Sequence, residues 1–176
     1  MRFLSEENLF AHKEHIRTKR LKYSILEKSI PTLKSKSIKE IFSSGMNLKD
    51  KRDALCLLSE ITLHDVFFES FSDKQYPPSQ QVKNKFGAHG TFLNELYKSA
   101  MSVEYGFIIV VLAGRDFRIY TAKDYPSVFS IGVPLLCVDV CEHAYFLDYG
   151  FDKEKYLVNA LSYLKIDIID EILGQN

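Results

Sequence analysis

Asp139 and His143 stand four residues apart at the end of an apolar run made by Val133, Leu135, Leu136, Val138 and Val140. The run reads as a short buried strand. If the chain breaks into a helical turn after it, the carboxylate and the imidazole turn towards one point. An oxygen and a nitrogen donor in that arrangement suit zinc, manganese or iron. Glu142, between them, is placed to accept from an imidazole N–H and fix a ligand's orientation. His64 sits on an apolar helical surface formed by Leu55, Leu58, Ile61, Leu63, Phe67, Phe68 and Phe71. His12 and His15 lie three apart on one face of an amino-terminal helix. Cys137, Cys141 and His143 form a weaker zinc pattern. It lacks a second cysteine pair and reads better as small buried thiols.

These side chains need elements to hold them. Residues 5–30 read as a long helix, with Ser5 as N-cap, acidic Glu6 and Glu7 in the first turn and Pro31 as the stop. Its basic middle, Arg17 to Lys22, reads as a solvated face. A short helix over 36–44 and a second long helix over 49–71 follow, so the two long helices form an antiparallel hairpin. The stretch from Ser72 to Ser79, with Pro77 and Pro78, punctuates the chain. It divides a helical hairpin, residues 1–73, from a carboxyl-terminal α/β lobe, residues 74–176. In that lobe helices are expected over 79–86 and 92–102, the latter capped by Thr91. Strands over 105–113 and 116–121 make a hairpin about Gly114. Residues 122–132 read as loop, 133–139 as a third strand, and 144–149, 152–164 and 167–173 as helical. The fold class is α+β, with a small three-stranded antiparallel sheet.

Bulk properties narrow the function. A chain of 176 residues, 46% hydrophobic, fits one domain or two small lobes sharing a core. With 23 basic and 23 acidic residues there is no electrostatic case for nucleic acid as the main partner. The longest apolar runs, such as Phe107 to Ala113, are too short to span a bilayer. The amino terminus has acidic residues and no apolar signal core. Three cysteines, Cys56, Cys137 and Cys141, all in apolar surroundings, argue for buried thiols in a reducing compartment. That places the chain in the cytoplasm or, alternatively, the mitochondrial matrix.

The segment Asp139-Val-Cys141-Glu-His-Ala-Tyr-Phe146 follows Pro134-Leu-Leu. It resembles the carboxyl-terminal signature of iron/manganese superoxide dismutases, Asp-x-Trp-Glu-His-Ala-Tyr-Tyr. Leu63-His-Asp-Val-Phe-Phe68 is similar to the family's Asn-His-(Thr/Asp)-Phe-Tyr-Trp on the second long helix. Phe3-Leu-Ser-Glu-Glu-Asn-Leu-Phe-Ala-His12 runs in step with its Phe-Leu-Ser-x-x-Thr-Leu-x-x-His. The resemblance covers nearly the whole chain. It implies one Fe or Mn ion per chain, held by His64, Asp139, His143 and a histidine of the first helix. The register favours His12 there. His15 instead would put Tyr23 eight residues on, where the family keeps a tyrosine. The implied activity is disproportionation of superoxide, and the implied assembly is a homodimer through the Glu142 region.

Several positions depart from the family pattern. Glu60 stands where iron-type members hold a glutamine bonded to the metal-bound solvent, and the resemblance makes it a catalytic candidate. Manganese-type members supply that glutamine from a loop, but here Tyr120 to Pro126 contains none, and Lys123 lies nearest. Cys141, Phe107 and Ile109 replace tryptophans. With His12 as ligand, Ile16 and Arg20 replace the gate histidine and tyrosine, leaving Arg20 to attract an anion. Phe146 replaces an interface tyrosine. These losses also fit an alternative, a non-catalytic structural subunit of a larger assembly such as a mitochondrial ribosome, the one setting in which nucleic acid would be a neighbour.

Overall fold

Ser5 starts the first helix by accepting a hydrogen bond from the Asn8 amide, and Glu6 and Glu7 face the unpaired amides of the first turn. In the computed structural model, which describes residues 3–74 and 77–174, this helix, α1, runs Glu6–Ser29. Pro31 then opens a single 3-10 turn, Pro31–Leu33. Helix α2, Ile38–Phe42, begins on a capping box between Ser37 and Glu40. Helix α3, Leu48–Glu69, begins on Asn47, whose side chain accepts from the Asp50 amide.

The two long helices run antiparallel, as their contacts show. His12 meets His64 and Phe68, Lys19 meets Glu60, and Tyr23 shares a cluster with Leu55 and Ala54. Residue numbers rise along one helix as they fall along the other. The far end of this pair buries Leu33, Ile38, Ile41 and Ile61 around Tyr23. Cys56 falls on the outward side of α3 and is exposed, so the expectation of three buried thiols holds for neither it nor, fully, for Cys141, which is half-buried.

After α3, Phe71 forms an isolated antiparallel bridge with Leu164, tying the hairpin to the far end of the chain. Helix α4, Gln80–Phe86, starts on Ser79. Helix α5, His89–Met101, begins earlier than the Thr91 cap expected from the sequence. Gly87, at φ 78°, ends α4 in the left-handed region. The chain then turns at once through extended Ala88 into α5, without a side-chain cap.

The sheet is antiparallel, in the order β2-β1-β3. Strand β1 is Phe107–Ala113, β2 is Asp116–Ala122 and β3 is Val133–Asp139. Strand β1 is central, and Phe107 pairs with Ala122 on one side and Asp139 on the other. The segment read as loop between β2 and β3 contains a helix, α6, Tyr125–Ile131. Pro126 lies in its first turn, where a missing N–H costs nothing, so the proline starts a helix inside the expected loop. Its buried Val128 packs into the core.

Beyond β3 come a 3-10 turn, Glu142–Ala144, and helices α7, Phe146–Tyr149, α8, Lys153–Ser162, and α9, Ile168–Leu173. Asp170 of α9 accepts from Ser79 Oγ and the Gln80 and Gln81 amides at 2.8 Å, so it closes the start of α4. The larger core joins Phe67 of α3, Phe92 and Leu96 of α5, the whole inner face of the sheet, and Tyr156 and Leu157 of α8. This is the α+β layout expected: a helical amino-terminal region, then an α/β part with a three-stranded antiparallel sheet. Among the described residues, no helix is long and apolar enough to cross a membrane.

Candidate metal centre

Four elements converge where the helical hairpin meets the sheet. Helix α1 brings His12, α3 brings His64, the last residue of β3 is Asp139, and the 3-10 turn after it carries His143. Asp139 Oδ2 lies 3.2 Å from His12 Nε2, 3.3 Å from His64 Nε2 and 3.0 Å from His143 Nε2. The His64 and His143 Nε2 atoms are 3.4 Å apart. One donor atom from each residue lies within 4.8 Å of all the others.

The residues fit a single first-row metal ion. Two donors each about 2.1 Å from a common ion, at angles of 90–120°, are themselves about 3.0–3.6 Å apart. The three carboxylate-to-imidazole separations and the His64–His143 separation fall in that range. Asp139 Oδ2 and both ring nitrogens of His12 are buried without a well-directed hydrogen bond. Buried polar atoms are ordinarily satisfied, so lone pairs that face one point and not a donor mark a place for a cation.

Neighbouring groups fix each ligand. His64 Nδ1 lies 2.8 Å from the carbonyl of Glu60, one helical turn back, so Nδ1 carries the proton and Nε2 presents its lone pair. Glu142, expected in such a role, is exposed; the acceptor for His64 is a backbone oxygen, which its helical spacing supplies. Asp139 Oδ1 accepts from the Cys141 amide at 2.8 Å, and its carbonyl accepts from Tyr156 Oη at 2.8 Å. Tyr156 is fully buried on α8, and nothing in its local sequence marks it as a support for the site. Phe67, Phe68 and Phe107 wall the imidazoles, with ring centroids 4.9–5.1 Å from His12 or His64.

Gly106 holds the fourth wall. At φ 112°, a Cβ there would lie 2.2 Å from the Ala122 carbonyl oxygen, so only glycine fits. Its amide donates to Cys141 Sγ at 3.2 Å, and its carbonyl accepts from the Val140 amide at 2.9 Å. Burial pushes the Cys141 thiol up to about 12, and burial pushes Cys137 well above its ordinary value. Both stay protonated at neutral pH, which makes them poor ligands. Among the described residues the zinc pattern Cys137, Cys141 and His143 forms no cluster of its own.

The structure brings His12, not His15, into the cluster. His15 lies outside it, its ring stacked on His143 with centroids 4.3 Å apart and its Nε2 3.5 Å from Glu60 Oε1. The Glu60 carboxylate is bound by Lys19 Nζ, at 2.8 Å from Oε1 and 2.9 Å from Oε2. Burial pushes this carboxyl up, but His15 and Lys19 outweigh it, and the net displacement is downward. Arg20, expected to attract an anion, is engaged by Asp65 on the exposed surface. Lys123 lies over the Tyr105 ring, 5.2 Å from its centroid. Lys19 was not singled out from the sequence, although it lies four residues after His15 on the same helical face.

The metal-free cluster sets a pH dependence. Burial pushes Asp139 up, but the His12, His143 and His64 imidazoles beside it hold it well below the usual carboxylate range. Burial pulls His12 down. Burial also pulls His143 down, but the Asp139 carboxylate beside it outweighs that, and the net shift is upward from 6.5. A raised histidine stabilises the apo fold below its unfolded pKa and loses that contribution as pH rises through the folded one. Metal binding requires all three imidazoles neutral. The rise in thermal midpoint on adding Mn(II) or Fe(II) is therefore expected to be small near pH 5.5 and large near pH 8. A pH-independent rise would contradict the arrangement.

Residues 74–171 match the family model of iron/manganese superoxide dismutases, C-terminal domain. The chain is 29% identical over 136 residues to "Superoxide dismutase [Fe] 2, chloroplastic" of Oryza sativa subsp. japonica, covering 72% of this chain and 52% of that protein. It is 27% identical over 136 residues to "Superoxide dismutase [Fe] 3, chloroplastic" of Arabidopsis thaliana, covering 72% and 50%. Against "Superoxide dismutase [Fe]" of Tetrahymena pyriformis it is 31% identical over 93 residues, covering 50% and 47%. The matched part thus spans about half the length of these relatives. With more than half of this chain matched by the family model, and with three imidazoles and a carboxylate converging, the chain belongs to the iron/manganese superoxide dismutase family.

Proposed function

We propose that His12, His64, Asp139 and His143 hold one iron or manganese ion, and that the loaded chain disproportionates superoxide. The convergence of three imidazole nitrogens and one carboxylate oxygen on one point carries this reading. Two superoxide ions and two protons give one dioxygen and one hydrogen peroxide. A bound ion alternating between two and three positive charges would supply the paired one-electron oxidation and reduction. The chain's own contribution is to hold and to exclude. Three neutral imidazoles and one carboxylate leave a trivalent ion with net positive charge, which favours a small anion. The phenyl wall of Phe67, Phe68 and Phe107 keeps water from the inner side of the site. Glu60 stands at the site as an acceptor paired with Lys19, because an ionised glutamate accepts hydrogen bonds and cannot donate as a glutamine would.

The reading extends to assembly and location. Phe146, Leu147 and Phe151 are exposed beside Glu142, and Phe10 of α1 is exposed as well. The exposed rings of Phe146 and Phe151, 5.2 Å apart, support a partner face, here for a second copy of the chain in the cytoplasm. Sedimentation of the loaded protein is expected to give the mass of a dimer, and Phe146→Glu that of a monomer. A monomeric wild-type protein at micromolar concentration would count against the face.

The metal reading itself is tested by loading EDTA-washed protein with iron or manganese. Near one ion per chain is expected, falling at least about tenfold in His64→Ala at equal free metal, since loss of one ligand removes a coordinate bond from the set. Superoxide turnover should fall with it. A folded wild-type chain that takes up neither ion would overturn the enzyme reading and leave the structural-subunit alternative.

A further inference from the structure

His12, His64 and Asp139 are sealed from solvent, whereas the His143 side chain is 33% exposed. The centre is therefore open on the His143 side. Three further residues stand there: His15, with 31% of its side chain exposed, Lys19, with 24%, and Glu60, with 14%. His15 covers the ring of His143, and Glu60 lies behind His15 on α3.

A bare carboxylate at this opening would repel any anion moving towards the centre. Lys19 cancels that charge. Its ammonium lies within 3 Å of both carboxylate oxygens, a closer approach than His15 makes. Two neighbouring cations on α1 are engaged elsewhere: Arg17 with Glu14, and Arg20 with Asp65. Among the described residues the glutamines, Gln80 and Gln81, lie at the start of α4 against Asp170, so charge pairing takes the place of a neutral donor here.

We propose that Lys19 determines the ligand specificity of the centre: by neutralising Glu60 it keeps the opening permissive to a small monovalent anion. The proposal rests on the metal reading above. It differs from a purely structural role for Lys19, because it makes the effect of removing Lys19 depend on the charge of Glu60.

The test is titration of the iron(III)-loaded protein with azide, followed by its charge-transfer absorption, with iron content measured on every sample. Lys19→Met is expected to bind azide about tenfold more weakly, about 1.4 kcal/mol, with iron content unchanged. Adding Glu60→Gln to that variant should return the affinity to within about twofold of wild type, the mark of two coupled charges. Glu60→Gln alone, which leaves the ammonium without its carboxylate, should bind azide at least as tightly as wild type. Lys19→Met with wild-type azide affinity would overturn the proposal. So would a double variant that stays as weak as Lys19→Met, or a Glu60→Gln protein weaker than wild type. Those failures in iron-loaded proteins leave the metal reading standing. A wild-type chain that takes up no iron removes both.

Discussion

The structure depends on a carboxylate with no access to water. Asp139 is fully buried at the end of β3, among three imidazoles and beneath an aromatic wall. Taking such a charge out of water costs several kcal/mol even after relaxation, so each neighbouring element is positioned to offset it. The Cys141 amide donates to one carboxylate oxygen, and three imidazole nitrogens surround the other. Those nitrogens come from α1, α3 and the turn after β3, so the helical hairpin cannot separate from the sheet without exposing an unpaired set of ligands. A cation at the centre would turn this costly arrangement into the strongest link between the two parts of the chain.

The rest of the fold supports that point. Tyr156, buried on α8, bonds the Asp139 carbonyl. Gly106 allows β1, β2 and the chain at Cys141 to meet at a distance no side chain would permit. The i−4 carbonyl of Glu60 orients His64. None of these groups is a ligand, yet each fixes the direction of one that is. The outer groups follow a different logic. Lys19 is bound to Glu60 on the open side and His15 lies beside them, so the charge presented to solvent there is set by the pair Glu60 and Lys19 and not by either alone.

Much of this was legible in the sequence because the signals are local. Ser5 caps the first long helix through its own side chain, as its position before Glu6 and Glu7 predicts. The strands stand out as apolar runs with a glycine turn between the first two. The four site residues are recognisable because their neighbours repeat a dense motif. The misreadings share one cause, since each depends on context and not on residue type. Residues 122–132 read as loop, yet Pro126 opens α6 there. Thr91 has the chemistry of a cap, but Gly87 had already reset the backbone for α5. Arg20 and Lys19 are adjacent cations on one helix. Which of them faces the site follows from how α1 meets α3, which pairs Arg20 with Asp65 outside and Lys19 with Glu60 at the opening.

The central claim is that one ion sits among three histidine nitrogens and one aspartate oxygen, with no cysteine in its shell. X-ray absorption at the metal edge of the loaded protein tests this most directly. The account predicts a first shell of nitrogen and oxygen scatterers at about 2.0–2.2 Å, with imidazole multiple scattering and no sulfur. A sulfur scatterer near 2.3 Å, from Cys137 or Cys141, or a shell without the imidazole signature, would contradict it.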